Sequence, residues 1–211
     1  MPVPKNIKIY HIVHLDRLPH IIQSGYLYSD AHMQTLQNTG TTIGLQEIKR
    51  RRLTHKLDSH PDLHVGECVP FYFCPRSVML YLIYKKNSQL TYQDGQEPIV
   101  HLEADFYETI RWAYSNKKRW SFTTSNAGSS YFDDYSSIND LDKVNWEAVS
   151  ARYWQDCKEG KQAEFLIEQQ FPWTLIKSIG VISTNIQHIV IQLLPQNTYQ
   201  PDVIIQRNWY Y

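Results

Sequence analysis

The sequence has few cysteines and no long hydrophobic run, and both features narrow the class of protein. Three cysteines among 211 residues cannot build the disulfide framework of a small secreted domain. No apolar stretch approaches the roughly 20 residues that a membrane-spanning helix needs, and the start MPVPKNIKIYH lacks a signal-peptide pattern. We therefore expect a cytoplasmic protein that has no membrane partner.

An excess of charge of one sign is also missing. The 21 Lys and Arg residues balance the 21 Asp and Glu residues, which excludes a globally basic nucleic-acid coat but allows a local basic patch. No GxSxG, Walker or GxGxxG motif is present, so the common hydrolase, P-loop and Rossmann classes have no support. Aromatic residues, in contrast, are abundant, with 15 Tyr, 6 Trp and 7 Phe.

Short strands and short helices are predicted in an irregular order. Strands are predicted at 7–13, 67–73, 97–104 and 119–124, and in the later segments AEFLIE, SIGVIST, HIVIQLL and VIIQ. Helices are predicted after Asp16 as N-cap, after Arg76, after Asp105 as N-cap, and over Trp146–Trp154. Without regular βαβ alternation, this pattern predicts a single α+β domain with mainly antiparallel strands over residues 1–211.

The basic run Lys49 to Arg52 has two interpretations. A run of charges is usually the solvated face of a helix. The alternative is an anion site, because an arginine beside the core-facing Ile48 can point inward and hold a pyrophosphate or a carboxylate through two parallel hydrogen bonds. The pattern alone leaves both open.

Glu164 lies between Ala163 and the apolar run Phe-Leu-Ile, where a strand is expected to enter the interior. An ionised carboxylate there costs free energy unless it is paired, so such a residue is either hydrogen-bonded structure or a catalytic group. A catalytic carboxylate would stabilise a cationic sugar transition state or take a proton from a nucleophile.

The histidines do not indicate a metal site. His60 and His64 are four residues apart, but a proline between them and the lack of paired cysteines argue against zinc. Asp133 and Asp134 lie in a predicted loop and do not supply the clustered acidic ligands of a nuclease. We predict that the protein binds no metal.

Several motifs together resemble one family. IYHIVHLDRL, IKRRR, VPFYFCPRSVMLYLIY, DGQEPIVHLEA, KQAEFLIE and NWYY are similar to DarT, the DNA ADP-ribosyltransferase toxins of bacterial toxin–antitoxin systems, and the similarity covers nearly the whole chain. The resemblance implies an ADP-ribosyltransferase-like fold, with split, mainly antiparallel sheets around an NAD cleft and peripheral helices. It implies transfer of ADP-ribose from NAD to a base of single-stranded DNA, most often thymidine, with release of nicotinamide. It also implies a macrodomain antitoxin similar to DarG.

The resemblance also assigns residues. Glu164 matches the catalytic glutamate and Arg52 the key arginine, with Arg51 as the alternative if the register is off by one. His11 matches the histidine that contacts the nicotinamide riboside end of NAD. The remaining cofactor-binding predictions are Val13, Gly44, Tyr72, Phe73 and Met79.

Two positions depart from the family pattern. Val13 stands where the family commonly has threonine, so only a backbone contact to NAD would remain there. Asn126 stands in a stretch where the family often has histidine near the target base. Because an amide cannot carry a proton near neutral pH, the proton transfer and the identity of the base are open.

Single-stranded DNA is bound by aromatic side chains and local cations, and stacking contributes roughly 1–3 kcal/mol per base. We predict that residues 125–161 form a substrate-recognition region, because 125–145 is long, polar and turn-rich. DNA contacts are predicted at Lys49, Arg76, Asn126, Arg152, Tyr153 and Trp154. For the aromatic residues, packing in the core is the competing interpretation.

Two other functions remain as alternatives. One keeps NAD-dependent transfer but changes the acceptor to guanine, RNA or a protein side chain. The other is an inactive module that binds single-stranded nucleic acid. The intact Glu164 and Arg52 speak against the second alternative, because a binding module has no need of a buried carboxylate beside an arginine.

Overall fold

The computed structural model describes residues 1–37, 40–196 and 198–211, and ten strands in this part of the chain form two sheets. The larger sheet has the strand order β10-β9-β4-β1-β3-β7-β5-β6, and β2 pairs with β8 separately. The strands are β1 (Lys8–His14), β2 (Tyr26–Tyr28), β3 (Cys68–Tyr72), β4 (Ile99–Asp105), β5 (Trp120–Thr123), β6 (Asp134–Tyr135), β7 (Glu164–Glu168), β8 (Gln170–Pro172), β9 (Ile176–Val181) and β10 (Asp202–Ile205).

Short helices surround the sheets. They are α1 (Leu18–Ser24), α2 (Asp30–Met33), α3 (Gln46–Arg52), α4 (Val78–Tyr84), α5 (Phe106–Ser115), α6 (Trp146–Ser150), α7 (Lys158–Lys161) and α8 (Thr184–Leu193). Among the residues described, no helix is both long enough and apolar enough to cross a membrane.

The large sheet is antiparallel except where β9 runs parallel to β10. A parallel pair needs a crossover connection, and α8 supplies it. The prediction of an α+β fold with mainly antiparallel strands is therefore confirmed.

The large sheet opens between β1 and β3. Strand β1 is paired with β4 along its whole length, from Lys8 to His14, but within the described residues its register with β3 is confined to Tyr10 opposite Tyr72. Pro70 contributes to this opening: its carbonyl accepts a hydrogen bond from the His11 side chain, so its backbone faces β1, and proline has no N–H for a ladder bond. The sheet is thereby split, as expected.

Local signals fix several helix ends, and the predicted N-cap at Asp105 is confirmed. The Asp105 carboxylate accepts a hydrogen bond from the backbone N–H of Glu108 at the start of α5, and the Ser77 hydroxyl accepts one from Leu80 N–H at the start of α4. Gly25, with a φ of +75°, ends α1 in the left-handed conformation that glycine adopts without strain.

The prediction of a strand at HIVIQLL (188–194) is wrong, because these residues form most of α8. Its β-branched residues favour a strand, but Ile186 and Val190 are four residues apart and both are buried on one helix face. The Ser183 hydroxyl caps this helix by accepting a hydrogen bond from Ile186 N–H. Packing of the apolar face thus overrides the local propensity.

Two further predictions about helices need correction. Asp16 is not an N-cap: its carboxylate accepts hydrogen bonds from the N–H and hydroxyl of Thr41, while His14 caps the turn at 15–17. The helix predicted over Trp146–Trp154 ends at Ser150.

Part of the predicted recognition region 125–161 belongs to the hydrophobic core. Leu141, Val144, Trp146 and Val149 are buried in the main core cluster, and the Trp146 indole N–H donates to the Leu141 carbonyl at 2.8 Å. The segment is therefore partly scaffold, and its exposed portions lie on either side of this anchor.

The stability of the protein should depend on His101 in the centre of β4. This side chain is fully buried, with Nε2 3.0 Å from the Pro75 carbonyl oxygen, and burial lowers the pKa of His101 from 6.5 to about 4. Between these values the unfolded state binds the proton more strongly, so stability falls as the pH decreases from 6.5 towards 4.

We expect that His101→Gln, whose amide nitrogen reaches the position of Nε2 and keeps a donor for Pro75 but cannot titrate, loses less stability than the wild type between pH 7 and pH 5. The difference should be about 2 kcal/mol in the free energy of unfolding by urea. Equal losses in both proteins would contradict this assignment of the pH dependence.

Candidate active site

A buried ion pair joins the two residues that the sequence singled out. Glu164 is the first residue of β7 and Arg52 the last residue of α3, and they are 3% and 7% exposed. Arg52 Nη1 lies 2.8 Å from Glu164 Oε2. Ile48 precedes Arg52 by four residues, so both lie on the helix face that turns inward. The inward-pointing arginine was one of two interpretations, and the structure favours it.

The second carboxylate oxygen of Glu164 is held as well. Its Oε1 accepts a hydrogen bond from the Ala127 backbone N–H at 3.2 Å, and the Glu164 backbone N–H donates to Thr123 Oγ1 at 3.1 Å. Helix α3 and the loop after β5 therefore hold the carboxylate, and strand β5 holds the Glu164 backbone. A group held this way loses little freedom when a substrate binds.

Arg52 has hydrogen-bonding capacity that Glu164 does not use. Its buried Nη2 has no partner within the described residues. Burial works against the charge of this guanidinium, but the adjacent Glu164 outweighs it and raises the pKa of Arg52 above its usual value. Arg52 thus presents a permanent positive charge with an unused donor.

His11 is a neutral hydrogen-bonding group. Its Nδ1 lies 2.6 Å from the Pro70 carbonyl oxygen, so Nδ1 carries the proton and Nε2 is left as an acceptor. Burial lowers the pKa of His11 to about 4, although the bond to Pro70 works in the opposite direction. At neutral pH the ring therefore adds no charge.

These groups line a cavity of about 470 Å³ where the sheet opens, which we call the first cavity. Its walls come from β1, β3, α2, α3, α4 and the segment 42–45. The predicted site residues that line it are His11, Val13, Gly44, Lys49, Arg52, Tyr72, Met79, Asn126 and Glu164. Residues separated by more than 150 positions are thereby brought together.

Phe73 is a correction to the predicted cofactor site. Alternate residues of a strand face opposite sides of the sheet, so Tyr72 lines the first cavity while Phe73 points away from it. Phe73 packs instead against Phe106, Phe122 and Trp146 in the core.

Arg51 and Trp154 also lie elsewhere than predicted. Arg51 donates to the Gly128 carbonyl at 2.9 Å and does not line the first cavity, so the structure favours Arg52 as the arginine of the site. Trp154 is 7% exposed and its indole N–H donates to the Tyr211 hydroxyl, so it is part of the scaffold. Lys49 lines the first cavity and forms an ion pair with Asp30. It therefore does not lie on the outer surface where a DNA contact was expected.

Sequence reasoning missed Arg17, although it lies inside the motif IYHIVHLDRL. Arg17 lines the first cavity, and its Nε donates to the Thr41 carbonyl at 2.7 Å while Nη2 donates to Thr42 Oγ1 at 3.0 Å. It thus joins the start of α1 to the segment that forms one cavity wall. A single arginine after a strand is too common a pattern to be recognised without the fold.

Asn126 holds the loop that contacts Glu164. Its Oδ1 accepts a hydrogen bond from Gly128 N–H at 2.7 Å, and its Nδ2 donates to Gln162 Oε1 at 3.2 Å. Ala127, between these two anchors, is the residue whose N–H binds the carboxylate. Asn126 therefore has a structural role next to any contact with substrate.

The remaining predicted DNA contacts lie around a second cavity. Arg76 and Arg152 line it, and the neighbouring Tyr153 is 83% exposed. In the described part of the chain, no group of three or more His, Cys, Asp or Glu side chains is arranged to hold a metal ion.

A split, mainly antiparallel sheet with a buried glutamate, paired with an arginine that keeps one unused donor in the cleft, is the arrangement of an ADP-ribosyltransferase. The carboxylate is suited to stabilise a positively charged ribose, and the guanidinium to bind phosphate or hold the carboxylate.

Comparison with known proteins supports this class. Residues 10–211 match the family model described as DarT, ssDNA thymidine ADP-ribosyltransferase. A DNA ADP-ribosyl transferase of Thermus sp. (strain 2.9) is 37% identical over 213 residues, which cover 99% of this chain and 98% of the relative.

Solved structures give the same result. Thermus sp. 2.9 DarT in complex with ADP-ribosylated ssDNA has a TM-score of 0.89 at 34% identity, with 100% of this chain and 99% of that chain covered. The same protein in complex with NAD+ has a TM-score of 0.84 at 32% identity, with both chains fully covered. Thermosipho africanus DarTG in complex with ADP-ribose shares the fold, with a TM-score of 0.77 at 20% identity over 97% of this chain and 51% of that chain.

The chain belongs to the DarT family of single-stranded DNA thymidine ADP-ribosyltransferases. It is an NAD-dependent DNA ADP-ribosyltransferase, and NAD is its co-substrate. The predicted fold and enzyme class are thereby confirmed.

The ion pair should be a stability determinant that hydrophobic residues can replace. We expect Glu164→Leu alone to lower the free energy of unfolding by about 3–5 kcal/mol, because it leaves the buried Arg52 charge without its partner. Adding Arg52→Met should restore more than half of this loss, since no charge is then buried. Urea unfolding measures both changes.

Glu47→Leu on the same helix is the control, because Glu47 is exposed and its contact with Arg51 spans 3.5 Å. Its effect should stay within about 0.5 kcal/mol. If the double variant is as unstable as Glu164→Leu, the stability does not depend on charge pairing.

Proposed function

We propose that Glu164 and Arg52 are the catalytic pair of a single domain, residues 1–211, that transfers ADP-ribose from NAD to a thymine base in single-stranded DNA. The observation that carries the proposal is the buried carboxylate of Glu164, held by Arg52 and Ala127 at the edge of the first cavity. NAD supplies the ADP-ribosyl group, and nicotinamide leaves.

The first cavity has the groups that a dinucleotide requires. Arg17, Lys49 and Arg52 provide positive charge for the pyrophosphate, and the unused Nη2 of Arg52 supplies a donor. The neutral His11 presents Nε2 as an acceptor for an amide or hydroxyl group of the nicotinamide riboside end. Tyr72 offers an aromatic wall.

Glu164 has two tasks in this proposal. Its negative charge stabilises the positive charge that develops on the ribose, in a site where low solvent exposure strengthens the interaction. It also accepts the proton that the thymine ring nitrogen loses during attack. Arg52 keeps the carboxylate aligned and does not lose its own proton.

Asn126 and the loop beside it form the acceptor side of the site. Because the Asn126 amide does not act as an acid or a base near neutral pH, Asn126 orients the base while Glu164 takes the proton. The exposed portions of residues 125–161, including Tyr153, contact the flanking DNA.

A macrodomain antitoxin similar to DarG is the proposed partner. The Thermosipho africanus DarTG chain, of which the aligned part makes up 51%, supports this proposal through its name and its additional length. The cytoplasm, where NAD and DNA are both present, is the proposed location.

The test uses NAD labelled in the ADP-ribose part and oligonucleotides of one base type each, as single strands, duplexes and RNA. We expect label on thymine-containing single-stranded DNA alone. Glu164→Gln should lower the rate of transfer at least about a hundredfold, because it removes the charge that stabilises the ribose. NAD binding, measured by calorimetry, should persist.

Glu47→Gln is the matched control, since it removes an exposed carboxylate from the helix that carries Arg52. It should transfer at the wild-type rate. Label on guanine strands, RNA or protein would show that the acceptor is not thymine in DNA. Tight DNA binding without any label would indicate a module that binds DNA but does not modify it. An active Glu164→Gln variant would refute the assigned role.

A further inference from the structure

The second cavity has about the same volume as the first, about 460 Å³, and a different chemical character. It lies on the other face of the large sheet, because β1 directs Tyr10 into it and His11 into the first cavity. Four basic side chains line it, and no carboxylate does among the described residues; the four are Lys8, Arg76, Arg152 and Lys161.

Three of these cations have no carboxylate partner within the described part of the chain. Lys161 is 3% exposed, and its ammonium donates to the backbone carbonyls of Val149 and Ala151, at 2.7 and 2.8 Å, and lies beside the Cys74 thiol. Arg76 has a buried Nε without a partner, and Arg152 is exposed and forms no ion pair. A buried ammonium held by neutral groups alone is costly, so an anion is its natural complement.

The carboxylates of the adjacent strand β4 do not line this cavity. Asp105 pairs with Lys8 at 3.2 Å, while Glu103 lies opposite Tyr10 and accepts a hydrogen bond from Ser178. Among the described residues, Lys8 is therefore the one lining cation that is in an ion pair.

Aromatic side chains lie in the lining of the second cavity, as Tyr10 and Trp209 do, or beside it, as Tyr153 does. Trp209 is half-buried and packs edge-on against Tyr10, with ring centroids 5.1 Å apart, and Tyr153 next to Arg152 is almost fully exposed. Cations interspersed with aromatic rings are the features that bind the backbone and bases of a single nucleic-acid strand.

Residues that line the two cavities lie close together at one end of the β3–β7 pair. Tyr72 and Glu164 are opposite each other there and line the first cavity, while Cys74 and Lys161 line the second. Lys161 precedes Glu164 by three positions, so their α-carbons are at most about 11 Å apart. A strand whose base reaches Glu164 can therefore continue into the second cavity.

We propose that the second cavity binds a segment of the single-stranded DNA next to the acceptor nucleotide, with Arg76, Arg152 and Lys161 facing its phosphates and aromatic rings stacking on its bases. This proposal rests on the proposed function, since it places the strand on one side of the Glu164 site. The second cavity would make the enzyme bind a longer strand more tightly than the acceptor nucleotide alone.

The test compares Arg152→Glu with Arg111→Glu. Both arginines are exposed and both substitutions change the net charge equally, but Arg111 on α5 lines neither cavity. Binding of a fluorescent single-stranded oligonucleotide is measured by anisotropy without NAD, at several salt concentrations, so that the result does not depend on transfer. Circular dichroism confirms that both variants are folded.

We expect Arg152→Glu to weaken DNA binding roughly tenfold and to reduce the slope of log affinity against log salt by about 0.7 or more. Arg111→Glu should bind like the wild type. Equal binding by both variants, or an equal loss in both, would overturn the proposal. Stronger competition by an RNA of the same sequence than by unlabelled DNA would assign the cavity to RNA and would also overturn it.

A second measurement locates the effect on the strand. Transfer is followed on strands that carry the acceptor thymine at the 5′ end or at the 3′ end, and NAD binding is measured separately. Arg152→Glu should raise KM for one of these strands only, because one cavity can hold the chain on one side of the acceptor. A loss with both strands, or with neither, would contradict the proposal, whereas absence of transfer by the wild type would refute the proposed function instead.

Discussion

The buried pair of Arg52 and Glu164 is the interaction on which the site depends. Two charges removed from water are tolerated because each is hydrogen-bonded to the other, and because the carboxylate also receives the Ala127 N–H. The pair joins α3 to the end of β7, elements that are 112 positions apart in the sequence at these residues. The same contact therefore holds the fold together and aims a negative charge into the cleft.

The cleft itself follows from the way that β1 is paired. Strand β1 pairs with β4 along its whole length, whereas within the described residues its pairing with β3 is confined to Tyr10 and Tyr72. Pro70 has no N–H and cannot donate the backbone hydrogen bond that would extend this pairing. The His11 Nδ1–H donates a hydrogen bond to the Pro70 carbonyl, which fixes the neutral ring and leaves Nε2 as an acceptor. The first cavity therefore lies where the pairing of β1 with β3 is incomplete.

The alternation of side chains along strands then gives the two faces of the sheet different chemistry. His11 and Tyr72 line the first cavity with a carboxylate at its edge, while their neighbours Tyr10 and Phe73 line a cavity whose charged groups, among the described residues, are all basic. One face is suited to a positively charged ribose that carries a pyrophosphate, and the other to phosphates. Residues that line the two cavities come close together near the end of the β3–β7 pair, at Glu164 and Lys161.

The sequence by itself determined the class of fold, most strands and the cap at Asp105, and it singled out Glu164 as a candidate site residue, because alternation, capping and a charge within an apolar run are local patterns. Tertiary structure decided the rest. Only packing shows that HIVIQLL is helical, that Phe73 and Trp154 are scaffold, and that Arg52 rather than Arg51 faces the carboxylate. These choices depend on which face of an element meets a distant neighbour, and that neighbour is not encoded within the segment.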